Sequence, residues 1–332
     1  MPQISVVIPA YNAERTIVKT IESVQQQTFK DFELIVINDG SCDRTLELLQ
    51  SIEDKRLKIF SYNNGGLPTA RNRGLSHATG EFITFIDADD LWTADKLEAQ
   101  LAALQQHPKA GVAYSWTYFM YEKGDFAFHP CPPTLFEGNV YGKLLVSDFI
   151  HSGSNVLLRK QALESVGGFD PALKSCEDWD CWLRLAAKWT FVVVPKYQIL
   201  YRQASGSMSS KIETMKSAAL MALEKAYRAA PPELQHLKKQ TFVSFHKYVA
   251  DLYLQHSTDS NAVTLAGQNL WAAIRLQPQT LLTQTTQRTL IKFILKRVFP
   301  APTASYFLKL LSKTRTSPDP RFKDGRLVNV TK

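Results

Sequence analysis

The stretch "GEFITFIDADDLW", residues 80–92, runs from apolar strand character straight into three carboxylates, Asp87, Asp89 and Asp90. Adjacent acids repel, and the cost is tolerable only where water, hydrogen bonds or a cation compensates them. The apolar run that precedes them reads as a strand buried on both faces, as in a parallel sheet. Outward from it, the same signature recurs at residues 3–11 (QISVVIPAY), 31–38 (DFELIVIN) and 57–62 (LKIFSY), with helical stretches between. Ile17, Ile21 and Val24 share one face of the first helix; Leu46, Leu48 and Leu49 favour the second, with Ser41 placed to cap it. Strand and helix in alternation predict an α/β fold, a mostly parallel sheet flanked by helices that binds ligands beyond the carboxyl ends of its strands. Asp39 and Asp87 both lie at such ends.

A chain of 332 residues with 45% hydrophobic content exceeds one average domain and can bury a sizeable core. The first residues, "MPQISVVIPAYN", lack a basic leader, and nowhere do about 18 apolar residues run uninterrupted, so a cytoplasmic location is expected. Cys42, Cys131, Cys176 and Cys181 show neither zinc-site spacing nor disulfide density and read as ordinary thiols. Charge is uneven. Residues 260–332 hold 12 Lys or Arg against two acids, Asp319 and Asp324, so this segment carries +10 and the remainder −2.

Beyond about residue 205 the strand signals fade. Helical patterns follow at roughly 209–229, 234–256 and 260–276, then "RTLIKFILKRVF" and "ASYFLKLLSKTR", where apolar residues alternate with cations; "TSPDPRFKDG" reads as a loose tail.

The D-x-D pair Asp87 and Asp89, at a strand end of a nucleotide-type sheet, suits a hard divalent cation, Mg2+ or Mn2+, completed by water and a substrate's phosphates. The competing reading is a solvated turn that caps the next helix. Three further stretches bear on the choice. "VVIPAYN" (6–12) ends a strand in Pro9, Tyr11 and Asn12, which offer backbone polar groups and an aromatic face for a base. "VINDGSCDRT" (36–45) ends another in Asp39, a carboxylate for the N–H or O–H groups of a nucleobase or ribose. "NNGGLPTARNRGL" (63–75) joins glycines that permit close backbone approach to Arg71, a fixed cation suited to a phosphate.

The ordered set VVIPAYN, NDGS, ARNRG, DADD, GGFD and CEDWD resembles the inverting family-two nucleotide-sugar glycosyltransferases of GT-A fold, over roughly residues 3–205. The resemblance implies a catalytic domain at 1–207 and a helical region with a basic amphipathic tail at 208–332. It implies nucleotide-sugar contact by Pro9, Tyr11, Asn12, Asp39, Asn64, Arg71 and Ala88, ribose or metal-water contact by Asp87, and direct ligation of the cation by Asp89. Family habit favours UDP as the nucleotide, and no residue excludes GDP or dTDP.

Sugar transfer with inversion needs a base to take the acceptor hydroxyl's proton while the nucleoside diphosphate departs. "SCEDWDCWLRL" (175–185) supplies a second acidic group: the family's ED pair falls on Glu177 and Asp178, with Asp178 at the position of the base. Trp179 and Trp182 offer walls for a sugar. The competing reading is an acidic first helical turn that complements the helix dipole. Gly167 and Gly168 are expected to make the turn before it, and His151 reads as structural. Many relatives carry a histidine where this chain has Ala204, so Arg202 and the serine- and glycine-rich loop after it, residues 204–210, would act there without one, the loop closing as a lid.

Arg288, Lys292, Lys296, Arg297, Lys309, Lys313 and Arg315, beside Leu290, Ile291, Phe293, Ile294 and Leu295, form a basic amphipathic tail. It suits an anionic membrane surface at the inner face of the plasma membrane, within reach of lipid-linked, protein-linked or other glycan acceptors, or else packs on the catalytic domain. No nucleic-acid motif accompanies the charge. The first strand lacks a GxGxxG turn and the chain a GxxxxGK[ST] loop, which disfavours dinucleotide oxidoreductases and P-loop enzymes. Two functions remain open, an enzyme that transfers sugar to a hydroxyl and a catalytically silent nucleotide-sugar binder in a glycan-assembly complex.

Overall fold

The computed structural model describes the chain except residues 124, 204–210, 257–259, 313–321, 324–325 and 328–332. Ala204, the loop that begins with it, Lys313, Arg315 and most of the loose tail lie outside the described residues.

The apolar runs become β1 (Ile4–Ala10), β2 (Phe32–Asp39), β3 (Leu57–Tyr62) and β4 (Phe82–Phe85), mutually parallel in the order β3-β2-β1-β4. Every residue of β1, β2 and β4 is buried, whereas the edge strand β3 is half open. Continuous apolar runs are what a sheet covered on both faces requires. Alternate residues serve opposite cores: Val6, Ile8, Leu34 and Val36 on one face, Val7, Ile35 and Ile37 on the other. The crossovers are α1 (Ile17–Gln25), α2 (Thr45–Gln50) and α3 (Leu67–His77). Ile17, Ile21 and Val24 of α1 are buried as their spacing predicts.

Past β4 the sheet continues through β8 (Leu157–Arg159), β6 (Ala110–Lys123), β9 (Thr190–Gln203) and β5 (Leu91–Trp92), with β7 (Asp125–Pro130) beside β6. β8, β7 and β5 run antiparallel to their neighbours, while β6 and β9 pair in parallel. α4 (Lys96–Gln106) covers the face that α1 covers, and α5 (Tyr141–Val146), α6 (Lys160–Ser165) and α7 (Glu177–Ala186) cover the other. α8 (Ile212–Ala229), α9 (Lys238–His256) and α10 (Ser260–Leu276) then form a third core of their own.

That helical core is joined to the sheet region at defined points. Thr241 Oγ1 of α9 donates to the Leu145 carbonyl of α5 at 2.9 Å, and Tyr141 Oη to the Ala226 carbonyl of α8 at 3.0 Å. Cys176 and Trp179, at the start of α7, pack against the helical cluster. The chain closes with α11 (Gln284–Val298) and α12 (Ala301–Ser312), followed by two paired dipeptides, Phe322–Lys323 and Arg326–Leu327.

Candidate active site

The strand-to-helix turns converge at the carboxyl edge of β1, β2 and β4. After β1, whose Pro9 is buried, Tyr11 leaves its ring 53% exposed. Asn12 takes a left-handed backbone with φ 49°. Its Oδ1 accepts from the Cys42 N–H at 2.8 Å, and its own N–H donates to Ser41 Oγ at 3.1 Å. Ser41, engaged there, does not cap α2. Just before that helix Asp43 Oδ1 accepts from the Thr45 N–H at 3.0 Å.

Asp39 is buried at the end of β2. Its carboxylate accepts from the N–H groups of Gly65 at 3.0 Å and Gly66 at 2.9 Å and from Arg73 Nη1 at 2.6 Å, and its carbonyl accepts from Asn64 Nδ2 at 2.9 Å. Gly40, with φ 75°, lets these loops touch, for a Cβ there would come within 2.8 Å of the Asn64 nitrogen. Exposed Tyr11 and Asn64 thus flank an anchored Asp39.

The three acids after β4 meet three fates. Asp87 and Asp90 close a turn, the Asp87 carbonyl accepting from the Asp90 N–H at 3.0 Å, while Thr20 Oγ1 of α1 reaches the Ala88 and Asp90 carbonyls at 3.0 and 2.9 Å. Asp90 is fully buried: its Oδ2 accepts from Ser154 Oγ at 2.5 Å and its Oδ1 from the Arg202 N–H at 2.9 Å. Burial first, then Asp89 and Asp87, push its carboxyl well above the usual range. Asp87 accepts from Arg71 Nη2 at 2.7 Å. Asp89 is half-buried, and among the described residues no other residue donates to its carboxylate. Burial and the Asp87 charge raise it to about 6, Arg202 offsetting part. Arg202 itself donates from Nε to the Asp89 carbonyl at 2.9 Å.

The second acidic group is set by a different device. α6 ends at Gly167 and Gly168, with φ 76° and 70°, whose N–H groups donate to the Glu164 and Leu163 carbonyls. This is the Schellman arrangement that only residues at ease with positive φ adopt. Asn72 of α3 then clamps the Phe169 peptide, donating to its carbonyl at 2.7 Å and accepting from its N–H at 2.9 Å. Cys176, left-handed at φ 56°, turns the chain into α7, whose first turn holds Glu177, Asp178 and Asp180.

These three also separate. Asp180 accepts from Arg184 Nε at 2.8 Å and pairs with Lys225 of α8 at 2.8 Å. Glu177 is buried and accepts from Arg71 Nη1 at 2.6 Å. Asp178 is half-buried, and its Oδ1 accepts from the Trp179 N–H at 2.8 Å. Burial raises Asp178 to about 6, the Asp148 charge adding and Arg71 offsetting. Trp179 is fixed by an Nε1–H bond to the Leu144 carbonyl at 3.0 Å. Trp182 is not a wall of the site: the inward stripe of α7 carries it into the core, edge-on to Phe169.

Arg71, read from the sequence as a cation for a phosphate, lies fully buried and joins the two groups. Its two Nη atoms hold Asp87 and Glu177, and Gly153 packs so closely that a Cβ there would stand 2.3 Å from Nη2. Burial works against its charge, and Asp87, Glu177 and Asp178 outweigh burial, so its pKa moves up. One cation does not satisfy so many acids. Burial raises Glu177 to about 7, Arg71 offsetting only part.

Sequence reasoning missed Asp148. It is half-buried, accepts from the Ile150 N–H at 3.0 Å, is raised by burial to about 6, and its charge acts on Asp178. The only signal was the Asx-turn potential of an Asp two residues before Ile150. His151 takes a left-handed backbone, and burial pushes its imidazole down to about 4, which keeps it neutral. A hollow of about 250 Å³ lined by Gly80, Glu81 and Arg159 lies at the opposite edge of the sheet, away from all these acids.

Among the described residues no group of three or more His, Cys, Asp or Glu side chains converges as a metal site. Asp87 and Asp89 remain as a pair whose mutual repulsion a cation would relieve, and one or two carboxylates are what Mg2+ or Mn2+ takes when phosphates complete its shell.

Known proteins share this fold. The solved structure of Staphylococcus aureus TarS, in complex with UDP-GlcNAc, superposes with a TM-score of 0.59 at 20% identity, over 92% of each chain. The mannosyltransferase of Pyrobaculum calidifontis, in complex with GDP-Man and Mn2+, superposes with a TM-score of 0.56 at 19% identity, over 90% of this chain and 87% of that one. Both likenesses are of fold, and the fold is GT-A. In sequence, an uncharacterized glycosyltransferase of Rickettsia conorii is 34% identical over 189 residues, 56% of this chain and 30% of that protein. The Escherichia coli UDP-Glc:alpha-D-GlcNAc-diphosphoundecaprenol beta-1,3-glucosyltransferase WfgD is 41% identical over 102 residues, 30% of this chain and 40% of that enzyme. The match therefore takes in less than half of either relative. The profile described as "Glycosyltransferase like family 2" matches residues 5–250, through the sheet region and into α9, and the chain belongs to that family.

Proposed function

We propose that the chain is an inverting glycosyltransferase that moves a sugar from a nucleoside diphosphate sugar, UDP-linked, to a hydroxyl acceptor in glycan, polysaccharide or glycolipid synthesis. The observation that carries this reading is the Arg71 bridge, which ties a strand-end acid, Asp87, and a helix-start acid, Glu177, to one guanidinium. A single displacement needs two such groups, one for the departing diphosphate and one for the incoming hydroxyl.

In this reading Tyr11, Asn64 and Asp39 hold base and ribose. Asp89, with Asp87, holds Mn2+ or Mg2+, which would neutralise charge on the departing diphosphate. Asp178 accepts the acceptor hydroxyl's proton as its oxygen bonds to the anomeric carbon and the bond to the diphosphate breaks. Glu177 and Arg71 do not touch the reacting atoms; their ion pair ties the start of α7 to Asp87. The relatives' names support the substrate class, since TarS was solved with UDP-GlcNAc and WfgD acts on a lipid diphosphate acceptor.

Calorimetric titration with UDP, GDP and dTDP, with and without Mn2+, tests it. One nucleotide should bind with metal, Asp89→Ala should abolish that, and Asp178→Asn should bind yet lose turnover by about a thousandfold. Absence of nucleotide binding under all conditions would return the acids after β4 to a solvated turn and favour the silent partner.

A peripheral membrane contact at the cytoplasmic leaflet belongs to the same reading. Ile291, Ile294 and Val298, one stripe of α11, are exposed beside exposed Arg288 and Arg297, and no helix among the described residues is long and apolar enough to cross a membrane. Co-flotation with anionic but not neutral vesicles checks it, and recovery with neither sinks it.

A further inference from the structure

The inward face of α9 carries one residue that does not behave as a core residue. Thr241, Phe245, Val249 and Leu252 recur at helical spacing and are all buried, forming the stripe that packs on α5 and on the start of α7. Tyr248, seven residues after Thr241, falls two turns along the same stripe, yet it is 55% exposed. A side chain on an inward stripe that remains open to solvent faces a crevice and not a packed core. The surroundings identify the crevice. Cys176 and Trp179, the residues on either side of Glu177 and Asp178, pack against the helical cluster that contains Phe245 and Val249, the residues near Tyr248 on α9. Although the ring is 55% exposed, desolvation in the crevice is the largest cause that raises its phenol, and the charges of Asp148 and Asp178 add, so it stays protonated. The helical region therefore supplies one wall of the space in front of Asp178.

Resting on the transferase reading above, we propose that this crevice is the acceptor subsite, with the Tyr248 ring as the platform for a pyranose and Asp148 as the carboxylate that holds its hydroxyls beside Asp178. A pyranose presents an apolar C–H face and a rim of hydroxyls. An open ring takes the first, and a half-buried carboxylate accepts hydrogen bonds from the second. Trp179, its N–H tied to the Leu144 carbonyl, is a fixed side wall. Asp148 is already oriented by the Ile150 N–H. Tyr248 and Asp148 are thus positioning residues for the acceptor, contributed by elements outside the strand-end nucleotide cradle.

The test is saturation-transfer NMR on the full chain with UDP, Mn2+ and methyl pyranosides of glucose, galactose and N-acetylglucosamine, with UDP affinity measured in parallel by calorimetry. At least one pyranoside should show contact with wild-type protein, weakened about tenfold in Tyr248→Ala and in Asp148→Asn and kept in Tyr248→Phe, with UDP affinity unchanged in all three. Tyr248 is solvent-exposed, so the alanine variant should melt with the wild type; if it does not, the comparison of Tyr248→Phe with Asp148→Asn decides. Contact retained in both Tyr248→Ala and Asp148→Asn overturns the subsite, as does the lack of any contact while UDP binds. Failure of UDP to bind the wild type overturns the donor reading, and the subsite with it.

Discussion

The end of β4 and the start of α7 carry acids at the same density, and each divides them alike. One acid of each group bonds to Arg71: Asp87 and Glu177. One is locked into the scaffold: Asp90 and Asp180. One forms no ion pair among the described residues, Asp89 and Asp178, each raised to about 6 with burial the largest cause. The groups differ in how the scaffold acid is held. Asp90 accepts from serine hydroxyls and a backbone N–H, whereas Asp180 meets two cations, Arg184 and Lys225. A strand end offers backbone and short hydroxyls from neighbouring loops. A helix start offers side chains one turn on and from the next helix. In both places two acids are engaged by the protein and a third is held, charged or chargeable, where a ligand can reach it.

Arg71→Met strikes both groups at once and should have the largest effect. It leaves Asp87 and Glu177 facing each other without their cation, which at pH 8 should cost about 3–5 kcal/mol of stability in urea unfolding. At pH 5.5 the loss should shrink, because Glu177, already raised, can take a proton. Arg71→Lys keeps a charge but not the two-pronged geometry and should recover only part. A loss below about 1 kcal/mol at pH 8 would mean that the bridge does not organise the site.

The scaffold acids give a finer test. Asp180→Asn leaves Lys225 and Arg184 short of their shared partner and should cost about 2 kcal/mol. Asp90→Asn keeps an acceptor for Ser154 and relieves a charge that burial disfavours, so its cost should stay under about 1 kcal/mol. Equal losses in denaturant unfolding would erase the distinction between the two groups.

The sheet was legible because β1, β2 and β4 are buried on both faces, so their apolar runs carry no competing signal. The turns were legible as ordered motifs at strand ends. The partner of each acid was not. Nothing in "DADD" tells that Asp90 goes to Ser154 and Arg202, 64 and 112 residues away, while Asp89 does not. Arg71 reads as a cation for a phosphate in "TARNRG", and only the packing of Gly153 and Phe169 around it makes it a buried bridge. Trp182 and Trp179 look equivalent in "CEDWDCW"; their fates diverge because one meets Phe169 and the other the Leu144 carbonyl. Tyr248 was invisible, since its place depends on how α9 docks on α5. Such contacts are long-range, and local pattern does not encode them.

The smallest effect separates the uses of the raised acids. Asp178 must be ionised to accept a proton, so kcat/KM should fall about tenfold per unit as pH drops below about 6. Stability should move the other way. A carboxyl whose folded pKa lies above its unfolded value gives stability that is present below the unfolded value and lost as pH rises through the folded one. Asp89, Asp148, Asp178 and Glu177 are all raised by burial, so the ligand-free protein should gain stability between pH 7.5 and 5 while activity declines. Mn2+ with the nucleotide should flatten that gain by supplying Asp89 with a cation, without changing the part that belongs to Asp178 and Asp148. Parallel rather than opposed profiles would mean that the helix-start acids are ordinary first-turn carboxylates, and the likeness between the two groups would then be one of composition alone.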